Sequence, residues 1–402
     1  MRLKGVCYDA GRLMMGESWR PKFNEALARR ELGIIKEDLH CNAVRICGLD
    51  IDRLVVASQA ALDAGLEVWF CPEMWDRSQD ETLAYIGRAA EAAEGLRARN
   101  PGRVALSVGS ELTLFMHGIV EGKNVFDRMR APSFLETIRT GRYNVLLNAF
   151  LERARVSARE RFHGPLTYFS LPFESTEWSQ FDFVGVDHYR DASMRDSYGK
   201  IASGYRVHGK PVLIGEFGCC TYQGAEMLGG SGFMIAFGMM ADYLGPRLTL
   251  PKNTQDMMRI PARVDGHYVR DEGLQAREIV GQLRVLDAAG VEGAFVQTFV
   301  SPTSTYVDDP RFDGDMAGFS LVKSFADKDT AEEIAVQKAR QSKELVGIEL
   351  DPSDLLKFSG EVGRMGVTYP DMPWEPKESF GAVADFYAKV RLAEPDETAE
   401  AR

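Results

Sequence analysis

Short apolar runs of strand length recur along the chain, and most are followed by a stretch in which apolar residues return at helical spacing. Leu3–Asp9 (LKGVCYD) opens the series, and residues 24–40 carry Leu27, Leu32, Ile35 and Leu39 on one helical face. The second run, Ala43–Gly48, leads to a helix over 52–64 closed by Gly65. The third, Glu67–Pro72, leads to an Ala-rich amphipathic helix over 79–97 that stops before the breaker Asn100, Pro101, Gly102. Further runs lie at 104–111, 165–171, 183–189, 211–218 and 293–300, with helical patterns at 144–161, 195–208 and 271–289. Eight buried strands alternating with helices predict an α/β fold, a (β/α)8 TIM barrel closed by a helix over 375–390. Long insertions are expected after strand four (112–141), strand seven (219–270) and strand eight (301–358), the last with a charged helix over 331–358. Residues 1–391 read as one barrel domain with lid-like insertions. Residues 392–402, rich in Glu and Ala and interrupted by Pro395, read as a frayed tail.

Two of the runs end alike. Strand four (VALSVGSE) stops at Glu111, and strand seven (PVLIGEFG) at Glu216, between Gly215 and Gly218. A barrel presents reactive groups at the C-terminal ends of its strands, so these glutamates form a candidate carboxylate pair. A lone acid there would be read as a strand cap or the start of a loop; two, with the right strand count between them, favour chemistry. Arg45 sits inside the otherwise apolar second strand. Its charge cannot be shed by losing a proton, so it needs a carboxylate, either as a salt bridge within the barrel or as a fork on a catalytic glutamate. Strand six ends in Asp187, His188 and Tyr189, and Glu73, Met74, Trp75 and Asp76 follow strand three on the mouth side.

Breaking a glycosidic bond with retention needs one carboxylic acid to protonate the leaving oxygen and one carboxylate, about 5 to 5.5 Å away, to attack the anomeric carbon. An apolar wall and a neighbouring negative charge keep the first protonated, and a nearby cation and hydroxyl donors keep the second ionised. Arg45, His188 and Tyr189 are candidates for the second environment. Trp75, Trp178 and Trp374 are candidate sugar platforms, set against the ordinary reading of tryptophan as packing. Asp308, Asp309, Asp313 and Asp315 read as an acidic solvated loop rather than a site for a cation or sugar hydroxyls.

Composition narrows the partners. Among 402 residues, 45% are hydrophobic, enough for a large core, and the net charge of −11 argues against a nucleic-acid partner. The opening residues lack a basic, then apolar, leader, and no apolar run approaches the roughly 18 residues needed to span a bilayer, so the expectation is a soluble, cytoplasmic protein without a membrane partner. Six irregularly spaced cysteines suggest reduced core thiols rather than a disulfide scaffold or zinc site. Cys219 and Cys220 are adjacent, and read as small residues filling the barrel rim or as a strained vicinal disulfide. The apolar stretch 233–244 suits a lid helix or a contact in a homo-oligomer.

With glutamates ending strands four and seven, arginine within NAVRI on strand two and tyrosine at the end of strand six, the chain resembles the retaining glycoside hydrolases of clan A over residues 3–300. The strings GEFGCCTY, YVRDEG and YPDMPWEPK are similar to bacterial proteins loosely labelled "abortive infection". The clan resemblance implies that Glu111 is the general acid/base and Glu216 the nucleophile, with Arg45 and Tyr189 hydrogen-bonding the nucleophile, a carbohydrate substrate and no metal or cofactor. The chain departs from that pattern at Ser110, where the clan has an asparagine for the sugar 2-hydroxyl. It departs again at Gln297, Thr298 and Phe299, where many members have a tryptophan floor. The long loops predict a pocket and therefore removal of a terminal sugar. Two other classes fit the same residues: a metal-dependent sugar isomerase or epimerase using Glu111, Asp187, His188 and Glu216, and a non-catalytic carbohydrate-binding barrel.

Overall fold

A computed structural model of the chain describes residues 1–14, 16–245 and 263–392. Eight parallel strands close into a barrel: β1 (Leu3–Asp9), β2 (Ala43–Gly48), β3 (Glu67–Pro72), β4 (Val104–Ser110), β5 (Leu166–Ser170), β6 (Val184–Asp187), β7 (Val212–Phe217) and β8 (Gly293–Val296). Each strand pairs with its neighbour in sequence, and β1 closes the ring on β8 with Leu3 opposite Gly293 and Val6 opposite Val296. The strands are almost wholly buried, which explains why they read as continuous apolar runs rather than alternating ones.

Strand alternation sorts their side chains into two cores. One set, including Val6, Val44, Val68 and Leu106, faces the helices. The other, including Leu3, Cys7, Cys47, Trp69, Cys71, Phe169 and Phe295, fills the inside of the barrel. Trp69 meets Phe183 edge-on at 5.0 Å and Phe295 at 6.1 Å, forming an aromatic plug at the lower end. All six cysteines are buried and free, so Cys219 and Cys220 form no disulfide.

The helices start and stop for local reasons. Asn24 caps Glu25–Glu37, Asp50 caps Ile51–Asp63, and Ser78 and Glu81 make a full capping box on Gln79–Arg99. Three differences from the sequence reading have simple causes. The charged helix runs over Lys328–Val346 and ends at Gly347 in the left-handed region; a 3-10 helix then starts at Pro352. Trp374–Pro376 pairs antiparallel with Val322–Ser324, which delays the closing helix to Glu378–Leu392. The helix expected over 195–208 is α-helical only at Tyr198–Gly204 and tightens to a 3-10 turn over Tyr205–His208.

Insertions follow β4, β7 and β8. The first holds helices Leu112–Phe115, Val125–Arg130 and Pro132–Thr140, and the second holds Ile235–Leu244. Part of the second insertion (246–262) and nearly all of the expected tail (393–402) lie outside the described residues. A two-stranded ribbon, Leu13–Met14 with Glu17–Ser18, follows β1 and was not evident in the sequence. Among the described residues no helix is long and apolar enough to cross a membrane.

Candidate active site

The C-terminal ends of the strands bring together a nest of charge around Glu216. Its Oε1 accepts a 2.6 Å hydrogen bond from Arg12 Nη2 and lies 3.3 Å from Arg45 Nη1, while Oε2 accepts from the Tyr189 hydroxyl at 2.9 Å. Burial works against an ionised carboxylate here. The two guanidinium charges and these hydrogen bonds overcome it, and Glu216 is held below the usual glutamate range.

Arg45 is fully buried and bridges several acids. It donates from Nη1 to Asp187 Oδ1 at 2.8 Å and from Nη2 to Ser110 Oγ at 3.1 Å and Glu73 Oε1 at 3.4 Å. Ser110 in turn donates to Asp187 Oδ2 at 2.7 Å, so both residues support the arginine. Below it, the Phe169 ring centroid lies 4.0 Å from the guanidinium carbon, which stabilises a planar cation that has left water. Gly215 is required beside this nest: a Cβ there would sit 2.2 Å from the Phe169 ring and 2.4 Å from Asp187 Oδ1.

Glu111 stands opposite in character. It begins the loop after β4 in the left-handed region, with φ of 53° and ψ of 35°, and its carboxyl makes no hydrogen bond among the described residues. Burial, followed by the charges of Asp187, Glu216 and Glu174, pushes it well above the usual range, and Arg45 opposes that only in part. Glu111 and Glu216 are thus driven in opposite directions, the arrangement that separates an acid from a nucleophile.

Arg12 escaped the sequence reading. Nothing in its surroundings there is periodic, and its partner Glu216 is 204 residues away. The Asp9 carboxylate, at the end of β1, accepts from the backbone of Gly11 and Arg12 at 2.7 and 2.9 Å and so turns the chain into the mouth. Arg12 then grips Glu73 through Nε at 2.5 Å and Nη2 at 3.1 Å, besides its bond to Glu216. Trp19 and Trp75 flank it, their centroids 5.6 and 6.0 Å from the guanidinium carbon, and Trp75 stacks on Phe115 at 4.3 Å.

Four residues singled out in the sequence lie elsewhere. Asp187 points inward and Tyr189 reaches Glu216, but His188, between them, points outward as strand alternation requires. Its ring packs on Tyr198 with Nε2 3.1 Å from Met194 Sδ, and burial pushes it down to about 4. Trp178 is buried in the outer core, edge-on to Phe181 at 5.9 Å. Phe299 packs against Trp374 at 5.4 Å, and Trp374 itself donates to buried Glu31, so neither ring is a sugar platform. The acidic loop after β8 is not wholly solvated either. Arg270 holds Asp313 at 2.9 Å and Asp315 at 2.7 Å, and buried Lys377 holds Asp315 at 2.8 Å. Among the described residues no group of three or more His, Cys, Asp or Glu side chains is arranged to hold a metal ion, and two guanidinium groups occupy the space between the central carboxylates.

The fold and this constellation define a class: a (β/α)8 barrel with carboxylates, arginines and a tyrosine gathered at the C-terminal mouth. No family model matches the sequence, and no curated protein matches it. Solved structures do match in shape. The GH113 beta-mannanase AaManA from Alicyclobacillus acidocaldarius, in complex with ManMIm, is similar over 97% of this chain and 98% of its own, at 13% identity and a TM-score of 0.50. Fpglu1 from Fervidobacterium pennivoraus matches 97% of this chain and 96% of its own at 10% identity and a TM-score of 0.48. Bacteroides uniformis beta-glucuronidase 2, covalently bound to cyclophellitol-6-carboxylate aziridine, matches 86% of this chain and 35% of its own at 12% identity and a TM-score of 0.47. At 13% identity the likeness to the mannanase is one of fold.

Proposed function

We propose that the protein is a glycoside hydrolase that removes a terminal sugar by double displacement, with Glu216 as nucleophile and Glu111 as general acid/base. The observation that carries this reading is the opposed environment of the two glutamates: Arg12, Arg45 and Tyr189 contact one and favour its ionised form, while burial and the neighbouring acids Asp187, Glu216 and Glu174 favour the protonated form of the other. In the first step Glu216 attacks the anomeric carbon while Glu111 gives its proton to the departing oxygen. In the second, Glu111 takes a proton from water, which displaces Glu216 and releases the sugar with retained configuration. No metal or cofactor enters the scheme. The clan A resemblance points the same way.

A pH profile follows from these directions. Below the lowered pKa of Glu216 the nucleophile becomes protonated, and above the raised pKa of Glu111 the acid loses its proton, so kcat/KM is a bell. Its acid limb is expected below the usual glutamate range and its basic limb well above it. Glu111→Gln should remove the basic limb and keep the acid one. Loss of the acid limb instead would reverse the two roles.

The exo mode rests on the loops. Met14 after β1, Leu114 and Phe126 after β4, Phe173 after β5, and Met234 and Phe237 after β7 meet in one apolar cluster, with Phe126 and Phe237 5.4 Å apart. Loops joined in this way favour a pocket over the open cleft that an internal polysaccharide segment needs. A panel of nitrophenyl glycosides and reduced oligosaccharides tests both points, with products separated by chromatography. The expected result is monosaccharide from the first minutes. An early ladder of intermediate lengths would mean internal cleavage, and no turnover across the panel would favour a binding barrel.

A further inference from the structure

Glu111 occupies the position that caps a short helix, Leu112–Phe115, where an acidic side chain ordinarily folds back onto the first free backbone N–H groups. It does not do so. The N–H of Leu112 donates instead to the Tyr168 hydroxyl at 2.8 Å, and the N–H of Thr113 donates to Glu174 Oε1 at 3.1 Å. Glu174 comes from the loop after β5, and its Oε2 accepts from the Tyr168 hydroxyl and the Leu171 N–H, both at 2.9 Å. The Glu111 N–H is held by the Phe169 carbonyl at 2.9 Å. Tyr168 is fully buried and Glu174 is 8% exposed, so neither arrangement is a casual surface contact.

We infer that Glu174 and Tyr168 are the positioning residues of Glu111: they cap its turn from the neighbouring strand and loop, which leaves the Glu111 carboxyl free to meet substrate. The left-handed backbone at Glu111 is costly for a residue with a side chain, and it persists only where surrounding contacts over-determine it. The two caps supply those contacts, and they form a continuous chain from β5 to the turn. Glu174 also adds to the pressure toward the protonated form of Glu111, although burial pushes its own carboxyl up to about 7. This inference rests on the reading of Glu111 as acid/base, and its test separates the two.

Two glycosides of one sugar are compared, one with a dinitrophenyl group that departs unprotonated and one with an alkyl group that must be protonated. Glu174→Gln keeps one acceptor and replaces the other with an amide; Tyr168→Phe removes only a hydroxyl and remains informative should the first variant fail to fold. Each is expected to lower kcat/KM about tenfold or more on the alkyl glycoside and less than about threefold on the dinitrophenyl one. A merely structural role would depress both alike. Glu111→Ala is the control. If it shows no such split between leaving groups, the acid/base assignment itself fails. If it does, and the Glu174 and Tyr168 variants fall equally on both substrates or on neither, the positioning role alone is overturned.

Discussion

Replacing Glu216 with alanine is expected to lower kcat by about five orders of magnitude, and replacing Glu111 by about two to four, with the fold intact in both. Neither side chain fills the core: Glu216 lies at the mouth with 13% of its side chain exposed, and Glu111 is half-buried. The arginines left by Glu216 keep other partners, Glu73 for Arg12 and Asp187 for Arg45. External azide then distinguishes the roles. Without Glu216 there is room for azide on the face the carboxylate used, and a single displacement gives the inverted glycosyl azide. Without Glu111 an activated glycoside still forms the covalent intermediate, and azide, which needs no deprotonation, opens it with retained configuration. Proton NMR of the anomeric position reads the outcome. The same anomer from both variants would exclude this division of labour.

The second large effect belongs to Arg12. Arg12→Ala removes one of two cations from Glu216 and leaves Glu73, whose side chain is 1% exposed, with the longer contact to Arg45 as its one ion pair among the described residues. Breaking a buried pair by deleting one partner costs about 3 to 5 kcal/mol, so denaturant unfolding should shift by that order. Activity should fall by about two to three orders of magnitude, because a preorganised charge beside the reacting carboxylate is lost. The diagnostic change is in the pH profile: with Arg12 gone the acid limb moves upward, since a less compensated Glu216 takes a proton more readily. Arg12→Lys should restore charge but not the fork that joins Glu73 to Glu216, and so recover activity only in part. An acid limb that stays in place in Arg12→Ala would remove Arg12 from the machinery.

What could be read along the chain was whatever depends on near neighbours. Strand runs such as Ala43–Gly48 and Val212–Phe217, the helices capped by Asn24, Asp50 and Ser78, and the count that closes the barrel all follow from local spacing. Glu111, Glu216 and Arg45 stood out because a charged residue in or directly after a buried run is costly and must have a partner. Strand alternation would also have separated Asp187 and Tyr189 from His188. Partnership itself is a matter of the tertiary structure. Arg12 reaches Glu216 across 204 residues of sequence, and Glu174 caps a turn 61 residues upstream, through loops whose direction no local pattern specifies. Trp178, Phe299 and Trp374 face the core for the same reason: the elements that cover them come from distant parts of the chain. The sequence by itself determined the barrel and the strand ends where charge would collect. Only the closed barrel decided which of those charges face one another, because desolvation and pairing act through space.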